Sequence, residues 1–185
     1  MLRIRSSKAF TAMRRSSGLS GTVMSGALRD SSMPHTVLAK NRRYLCAAPE
    51  YVARHGQPPD AAGLRGHACI ALQENAEDVT MWRLRAPGED RYTAIRIRPR
   101  LSSNDGRVVK QWALKGYGIM MRSEWDVAQE LRSGALLRIL PDHALPAPDI
   151  VALLGSGQRQ RSARTMRFLE LLKTSLAARP WRFQG

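Results

Sequence analysis

Apolar residues recur along this chain with two different periods. Over Arg96-Ile97-Arg98-Pro99-Arg100-Leu101, charged and apolar side chains alternate, which predicts a strand with one wet face. Ser103-Asn104-Asp105 then brings side chains suited to a helix N-cap. Val108, Val109, Trp112 and Ala113 follow at three- and four-residue spacing and predict an amphipathic helix. Gly116 and Gly118 close it, and Ile119-Met120-Met121 predicts a short buried strand.

The remaining pattern falls into similar pieces. Val37-Leu38 and Tyr44 to Ala48 read as strands. Pro49 suits the first turn of a helix that Glu50 to His55 fill, Gly56 ends it, and Pro58-Pro59 prevents continuation. Ala61 to Gly63 predicts a helical turn, and His67 to Leu72 a strand. Met81–Arg85 and Tyr92–Arg98 are alternating runs around Ala86-Pro87-Gly88-Glu89-Asp90, a hairpin pattern with Trp82 directed to the core. Ser123 caps a helix from Glu124 to Leu131, ended by Gly134, and Ala135 to Leu140 predicts a strand. After a proline-rich connector, Pro141 to Pro148, Ile150 to Leu154 is an apolar strand. Ser162 to Ala178 is the best helix: Met166, Leu169, Leu172 and Leu176 form a stripe, widened by Phe168 and Leu171. Arg161, Arg164, Arg167 and Lys173 lie opposite it.

Composition narrows the class. With 185 residues, 43% hydrophobic and 24% charged, the chain fits one ordinary domain or two small lobes. It has no run of about 18 apolar residues, so no transmembrane helix and no membrane partner are expected. Cys46 and Cys69 are the only two cysteines, which points to reduced thiols in strands of a cytoplasmic protein. The net charge of +15 suggests nucleic acid until it is divided along the chain. Residues 1–43 hold nine Arg/Lys and one acid, residues 155–185 hold seven and one, and residues 44–154 hold 14 and 13. The body is nearly neutral; the basicity belongs to the two ends. Residues 1–25 are Arg- and Ser-rich and contain no acid, so little stable structure is expected there.

No pattern for catalysis emerges. His67-x-Cys69 with His55 matches no common zinc spacing. Cys46 has no partner grouping of a thiol nucleophile, and Gly116-x-Gly118 is a turn rather than a phosphate loop. We expect no enzyme, no cofactor and no metal. The useful constellation is the polar turn Ser102-Ser103-Asn104-Asp105-Gly106. At the carboxyl end of a strand and the start of a helix, such a turn is where open α/β sheets bind small ligands, and the helix dipole favours an anion. An ordinary capped helix without ligand fits the same residues. A fixed Asp105 carboxylate would repel an anion unless it faces away as part of the cap.

The run Ser102 to Asp142 closely resembles the C-terminal effector-binding domain of LysR-type bacterial transcriptional regulators. The resemblance rests on Ala113-Leu114-Lys115-Gly116-Tyr117-Gly118-Ile119, then Leu131-Arg132-Ser133-Gly134, then Leu140-Pro141. A second block, residues 28 to 56 with Arg43-Tyr44-Leu45-Cys46-Ala47-Ala48-Pro49, is similar to the family's crossover strand and following helix. The resemblance runs from about Gly26 to Ala178. It implies an α/β, periplasmic-binding-protein-like (type 2) fold in two lobes. The second lobe, about 44–141, would be complete, the first truncated, with 149–178 returning to it and 179–185 a tail. It implies that Ser102, Ser103, Asn104, Asp105 and Gly106 line the cleft that takes a small-molecule effector, with organic anions among the candidates. The family's winged helix-turn-helix has no counterpart in these residues, so no sequence-specific DNA binding by this chain alone is expected. The expected protein partner is a second copy or a full-length LysR-type homologue. A solute-binding protein of a transport system shares the fold and is the alternative, as is an interaction fragment that pairs with a full-length regulator.

Overall fold

The computed structural model describes residues 21–25, 35–73, 78–154, 163–177 and 181–182. Along the chain lie β1 (Gly21–Ser25), β2 (His35–Ala39), β3 (Arg43–Ala47), α1 (Pro49–His55), a 3-10 turn (Ala62–Gly66), β4 (Cys69–Leu72), β5 (Met81–Leu84) and β6 (Thr93–Arg96). Then come β7 (Pro99–Ser103), α2 (Gly106–Leu114), β8 (Ile119–Ser123), α3 (Glu124–Arg132), β9 (Leu137–Ile139), β10 (Ile150–Leu154) and α4 (Ala163–Ala177). Described residues up to Asn41 and from Pro148 through α4 form one compact unit. Those from Arg42 to Ala147, with Trp181 and Arg182, form another.

The first unit is a three-stranded antiparallel sheet, β1-β10-β2, with α4 against β2. Gly21–Ser25 form β1 although composition suggests little structure there; the pairing partner lies more than a hundred residues away, where no local signal can reach. Residues 1–20, the segment Leu28 to Ser32 and the loop Gly155 to Gln160 lie outside the described residues. On α4, Leu169, Leu172 and Leu176 are buried, but Met166, Phe168 and Leu171 are exposed. The expected stripe is therefore narrower than its sequence pattern: one helix face rests on the sheet, and Met166, in the first turn, stands off it. Lys40 Nζ pairs with Asp149 Oδ2 at 2.7 Å, and Asn41 Nδ2 donates to the Pro148 carbonyl at 3.3 Å.

The second unit carries a mixed sheet, β7-β4-β8-β3-β9. β4 runs parallel to β7 and β8, while β3 runs antiparallel to β8 and β9. Its central strands are apolar on both faces, and period two sorts them between two cores. Leu45, Ala47, Cys69 and Ile119 join Tyr51, Leu64, Trp82, Ile97 and Ile139 on one side. Cys46, Ile70 and Met120 join Val109, Ala113, Val127 and Leu131 on the other. α2 and α3 supply the second set, with Val109 and Ala113 each fully buried.

The alternating run Arg96 to Leu101 is not one strand. β6 pairs antiparallel with β5 in a separate hairpin, the chain leaves it at Ile97, and β7 starts at Pro99 in the main sheet. Ile97 explains the break: its N–H donates to the Thr80 carbonyl at 2.7 Å while its side chain plugs the first core at 1% exposure. β9 covers only Leu137–Ile139 of the expected run Ala135 to Leu140, and at its end Leu140 takes a positive φ of 50°.

Gly118 holds a crossing that only glycine permits. Ile119 N–H donates to the Ala68 carbonyl at 2.9 Å, and a Cβ on Gly118 would lie 2.4 Å from that oxygen. Both thiols are sealed: burial pushes Cys46 and Cys69 up to about 12.

Two expectations follow. Gly118→Ala lowers the urea-unfolding free energy by more than about 2 kcal/mol, through overpacking at a backbone carbonyl. Gly134→Ala, where φ is 75° but no atom lies within 4 Å of the added carbon, costs only about 1 kcal/mol; equal losses would show that close approach is irrelevant. For the thiols, neutral in both states below the unfolded value near 9, stability is full below that pH and falls as pH rises from 9 toward 12. Thiol-reactive dye at pH 8 should label unfolded protein and leave folded protein untouched.

Candidate functional site at the carboxyl ends of two parallel strands

β4 and β7 end together because their register pairs Ala71 with Ser102 and Leu72 with Ser103. The next residue on β4, Gln73, extends the pairing: its N–H donates to the Ser103 carbonyl at 2.8 Å and its Nε2 to Ser102 Oγ at 3.3 Å. The polar turn then folds on itself. Ser103 Oγ accepts the Asp105 N–H at 3.1 Å. Asp105 is the N-cap of α2, with Oδ1 accepting the Arg107 N–H at 2.8 Å and Oδ2 3.2 Å from Arg107 Nη2. The Arg107 side chain, with help from its backbone N–H, holds the Asp105 carboxyl below the ordinary carboxylate range. Asn104 and Ser102 are exposed; Ser103, Asp105 and Gly106 are half-buried.

Thus Asp105 does serve the cap, and its charge is matched by Arg107. The Arg107 N–H of the first turn is consequently already taken by the protein's own carboxylate. What faces solvent is a short polar rim: the Gln73 amide, the serine hydroxyls and the Asn104 amide.

Charge of another kind lies beneath it. Arg122, on β8, is 5% exposed. Its Nε and Nη2 both lie 2.7 Å from Asp126 Oδ2. Its guanidinium sits against Gly106 so closely that a Cβ there would be 2.5 Å from Nη2. Lys110, on α2, reaches across to α3, with Nζ 2.9 Å from Glu130 Oε1, 2.8 Å from the Asp126 carbonyl and 3.5 Å from Asp126 Oδ1. Two cations and two anions balance, as buried charge requires, and they stitch α2 to α3. The start of α2 is therefore fixed from below as well as from the strand.

Of the sequence-predicted residues, Ser102, Ser103, Asp105 and Gly106 are brought together at this turn, with Asn104 at its tip. Gln73 and Arg122 were not foreseen. Gln73 becomes visible only once β4 and β7 are known to be parallel neighbours. A hint of Arg122 was present in the sequence, a lone arginine directly after the apolar run Ile119-Met120-Met121 with an acid four residues on. Near the opposite end of β4, Tyr51 Oη lies 3.1 Å from His67 Nδ1 and accepts the Ala68 N–H at 3.0 Å. Burial, reinforced by His55, lowers the His67 value. Among the described residues no group of three or more His, Cys, Asp or Glu side chains is arranged to hold a metal ion. No described helix is long and apolar enough to cross a membrane.

Comparison with known proteins settles the family. The family model for the LysR substrate binding domain matches residues 2–177. This chain belongs to the LysR substrate-binding domain family. The match begins well before Gly26, so the N-terminal segment that composition sets apart is part of the family alignment. The HTH-type transcriptional activator TtdR of Escherichia coli (strain UTI89) is 43% identical over 121 residues, 65% of this chain and 38% of that protein. The HTH-type transcriptional regulator DmlR of Escherichia coli (strain K12) is 41% identical over 110 residues, 60% of this chain and 35% of that protein. The chain thus spans well under half the length of these relatives, which are transcription regulators by name. Among solved structures, the CrgA regulatory domain from Neisseria meningitidis superimposes with a TM-score of 0.68 at 25% identity, covering 83% of this chain and 74% of that domain. The AphB regulatory domain from Vibrio vulnificus gives 0.64 at 24% identity, over 83% and 74%, a likeness of fold. The fold is the mixed α/β, periplasmic-binding-protein-like type 2 fold of LysR regulatory domains.

The packing at Gly106 makes a direct prediction. Gly106→Ala should destabilise by about 1–3 kcal/mol through overpacking, and less in an Arg122→Gln background, where the crowding group is gone. A double-mutant cycle by urea unfolding should give a coupling clearly above the ~0.5 kcal/mol expected of independent sites; additive losses would mean the contact is slack.

Proposed function

We propose that this chain is the effector-sensing region of a LysR-type regulator. The polar rim at the ends of β4 and β7 is read as half of its small-molecule site. The observation that carries this is the joint ending of two parallel strands at a capped helix start, with Gln73, Ser102, Ser103 and Asn104 presenting hydrogen-bonding groups in one place. Family membership supplies the functional frame. On this reading the unit from Arg42 to Ala147 is the family's second lobe, residues 149–178 belong to the return into the first, and residues 179–185 are a tail.

The effector class to test first is a small organic anion. Asp105 does not forbid it, because Arg107 matches that charge locally. Affinity would come from the amides and hydroxyls of the rim rather than from bare helix N–H groups. On this reading, sequence-specific DNA binding is not expected of this chain alone. The protein partner on this reading is a second copy or a full-length LysR-type homologue, and the place of action is the cytoplasm.

Titration calorimetry against a panel of small mono- and dicarboxylates should find a binder. Gln73→Ala and Ser103→Ala should each weaken it by roughly tenfold, about 1.4 kcal/mol. Unchanged affinity in both variants would remove the rim from the site. In a gel shift at physiological salt, the chain alone should retain no sequence-specific promoter complex; a salt-resistant specific complex would overturn the division of labour.

A further inference from the structure

The β5–β6 hairpin divides its side chains by face. Trp82 pairs with Ile95 across the ribbon, and both are buried, as is Leu84. Period two turns Arg83 and Arg85 on β5, and Ala94 and Arg96 on β6, the other way, with Tyr92 in line just before β6. On that outer face Arg85 is half-buried and the other four are exposed.

The neutral body hides a local excess of charge here. Residues 81–100 hold six arginines, no lysine and two acids, whereas the rest of 44–154 holds eight basic and eleven acidic residues. The two acids, Glu89 and Asp90, sit in the loop between the strands. Arg98 and Arg100, farther along, are exposed as well.

Two of the three outer arginines are held in place. Arg85 Nη1 donates to the Glu89 carbonyl at 3.0 Å, and its guanidinium lies 5.7 Å from the centre of the Tyr92 ring. Arg96 Nη1 donates to Thr80 Oγ1 at 3.2 Å and lies 3.9 Å from Asp78 Oδ2. The Arg83 guanidinium has no partner among the described residues. Each guanidinium carries five N–H donors, so most of them stay available. Ala94, paired with Arg83, offers only a methyl group, with Arg96 and Tyr92 on either side of it along the chain, each roughly 7 Å away. It is a low floor among three taller polar side chains.

Planar forks suit oxyanions that present two oxygens at once, phosphate above all. Several such forks along one ribbon suit a polyanion better than a single small ion. An acidic protein segment and a duplex backbone both have that chemistry. The reading of this chain as part of a transcription regulator favours the duplex, and the choice of partner rests on that reading. We propose that the outer face of the β5–β6 hairpin docks on the phosphate backbone of duplex DNA, with Arg83 and Arg96 gripping phosphate above Ala94. Contacts of this kind position a protein and carry no base information, so the chain does not become a reader of sequence.

The test is fluorescence anisotropy of the full chain with a labelled random-sequence duplex over a salt series. Arg83→Gln/Arg96→Gln should weaken binding at least fivefold and flatten the slope of log affinity against log salt by about 1 per arginine. Arg164→Gln/Arg167→Gln, which removes the same charge from exposed positions on α4, should have a clearly smaller effect. Gln73→Ala should leave duplex binding unchanged, so failure of the effector site and failure of this face are separate results. Circular dichroism confirms that the variants are folded; should Arg96→Gln disturb the hairpin, Arg83→Gln alone decides. No measurable duplex binding, equal losses in the hairpin and α4 pairs, or tighter hairpin-dependent binding of a polyglutamate peptide than of the duplex overturns the proposal.

Discussion

Each of β3, β4 and β8 carries side chains that must be buried on both faces, and this constraint sets the rest of the larger unit. Leu45 and Ala47 point into one core and Cys46 into the other; Cys69 and Ile70 divide in the same way, as do Ile119 and Met120. A slip of one residue would exchange every one of these side chains between cores shaped for different volumes. The register is held accordingly, and with it the level at which β4 stops beside β7. α2 can then lie across the sheet only where Val109 and Ala113 find their core, which brings its first turn next to Gln73 and Ser102. The polar rim is a by-product of apolar packing several ångströms below it.

The charges near that rim obey a similar logic. Arg122 and Lys110 are taken out of water but meet Asp126 and Glu130 at ion-pair distance, so no net charge is buried. Pairs of this kind are weak sources of stability and good sources of position. Here the position in question is the first turn of α2, where Gly106 leaves room for the guanidinium.

How much of this could be read in advance depended on the range of the interaction involved. The Asp105 cap, the glycine stop after α2, the Trp82 hairpin and α3 all declared themselves, because capping and periodicity act over a few residues. β1 did not, since GTVMS becomes a strand only through β10. The alternation from Arg96 to Leu101 misled for a related reason: two strands of two different sheets meet end to end, and only the burial of Ile97 separates them. Period-3.6 spacing identified α4 but overstated its buried face, because spacing says which residues align and not how wide a surface awaits them. At the site, the turn residues were legible as a cap-and-turn motif. Gln73 and Arg122 were not, because both depend on strand order.

The pairing of Lys40 with Asp149, and of Asn41 with Pro148, has a consequence for how the larger unit is wired into the chain. Its point of entry and its point of exit are held side by side, as they are in a domain spliced into the loop of a host. Such a module keeps its own contacts when its surroundings change.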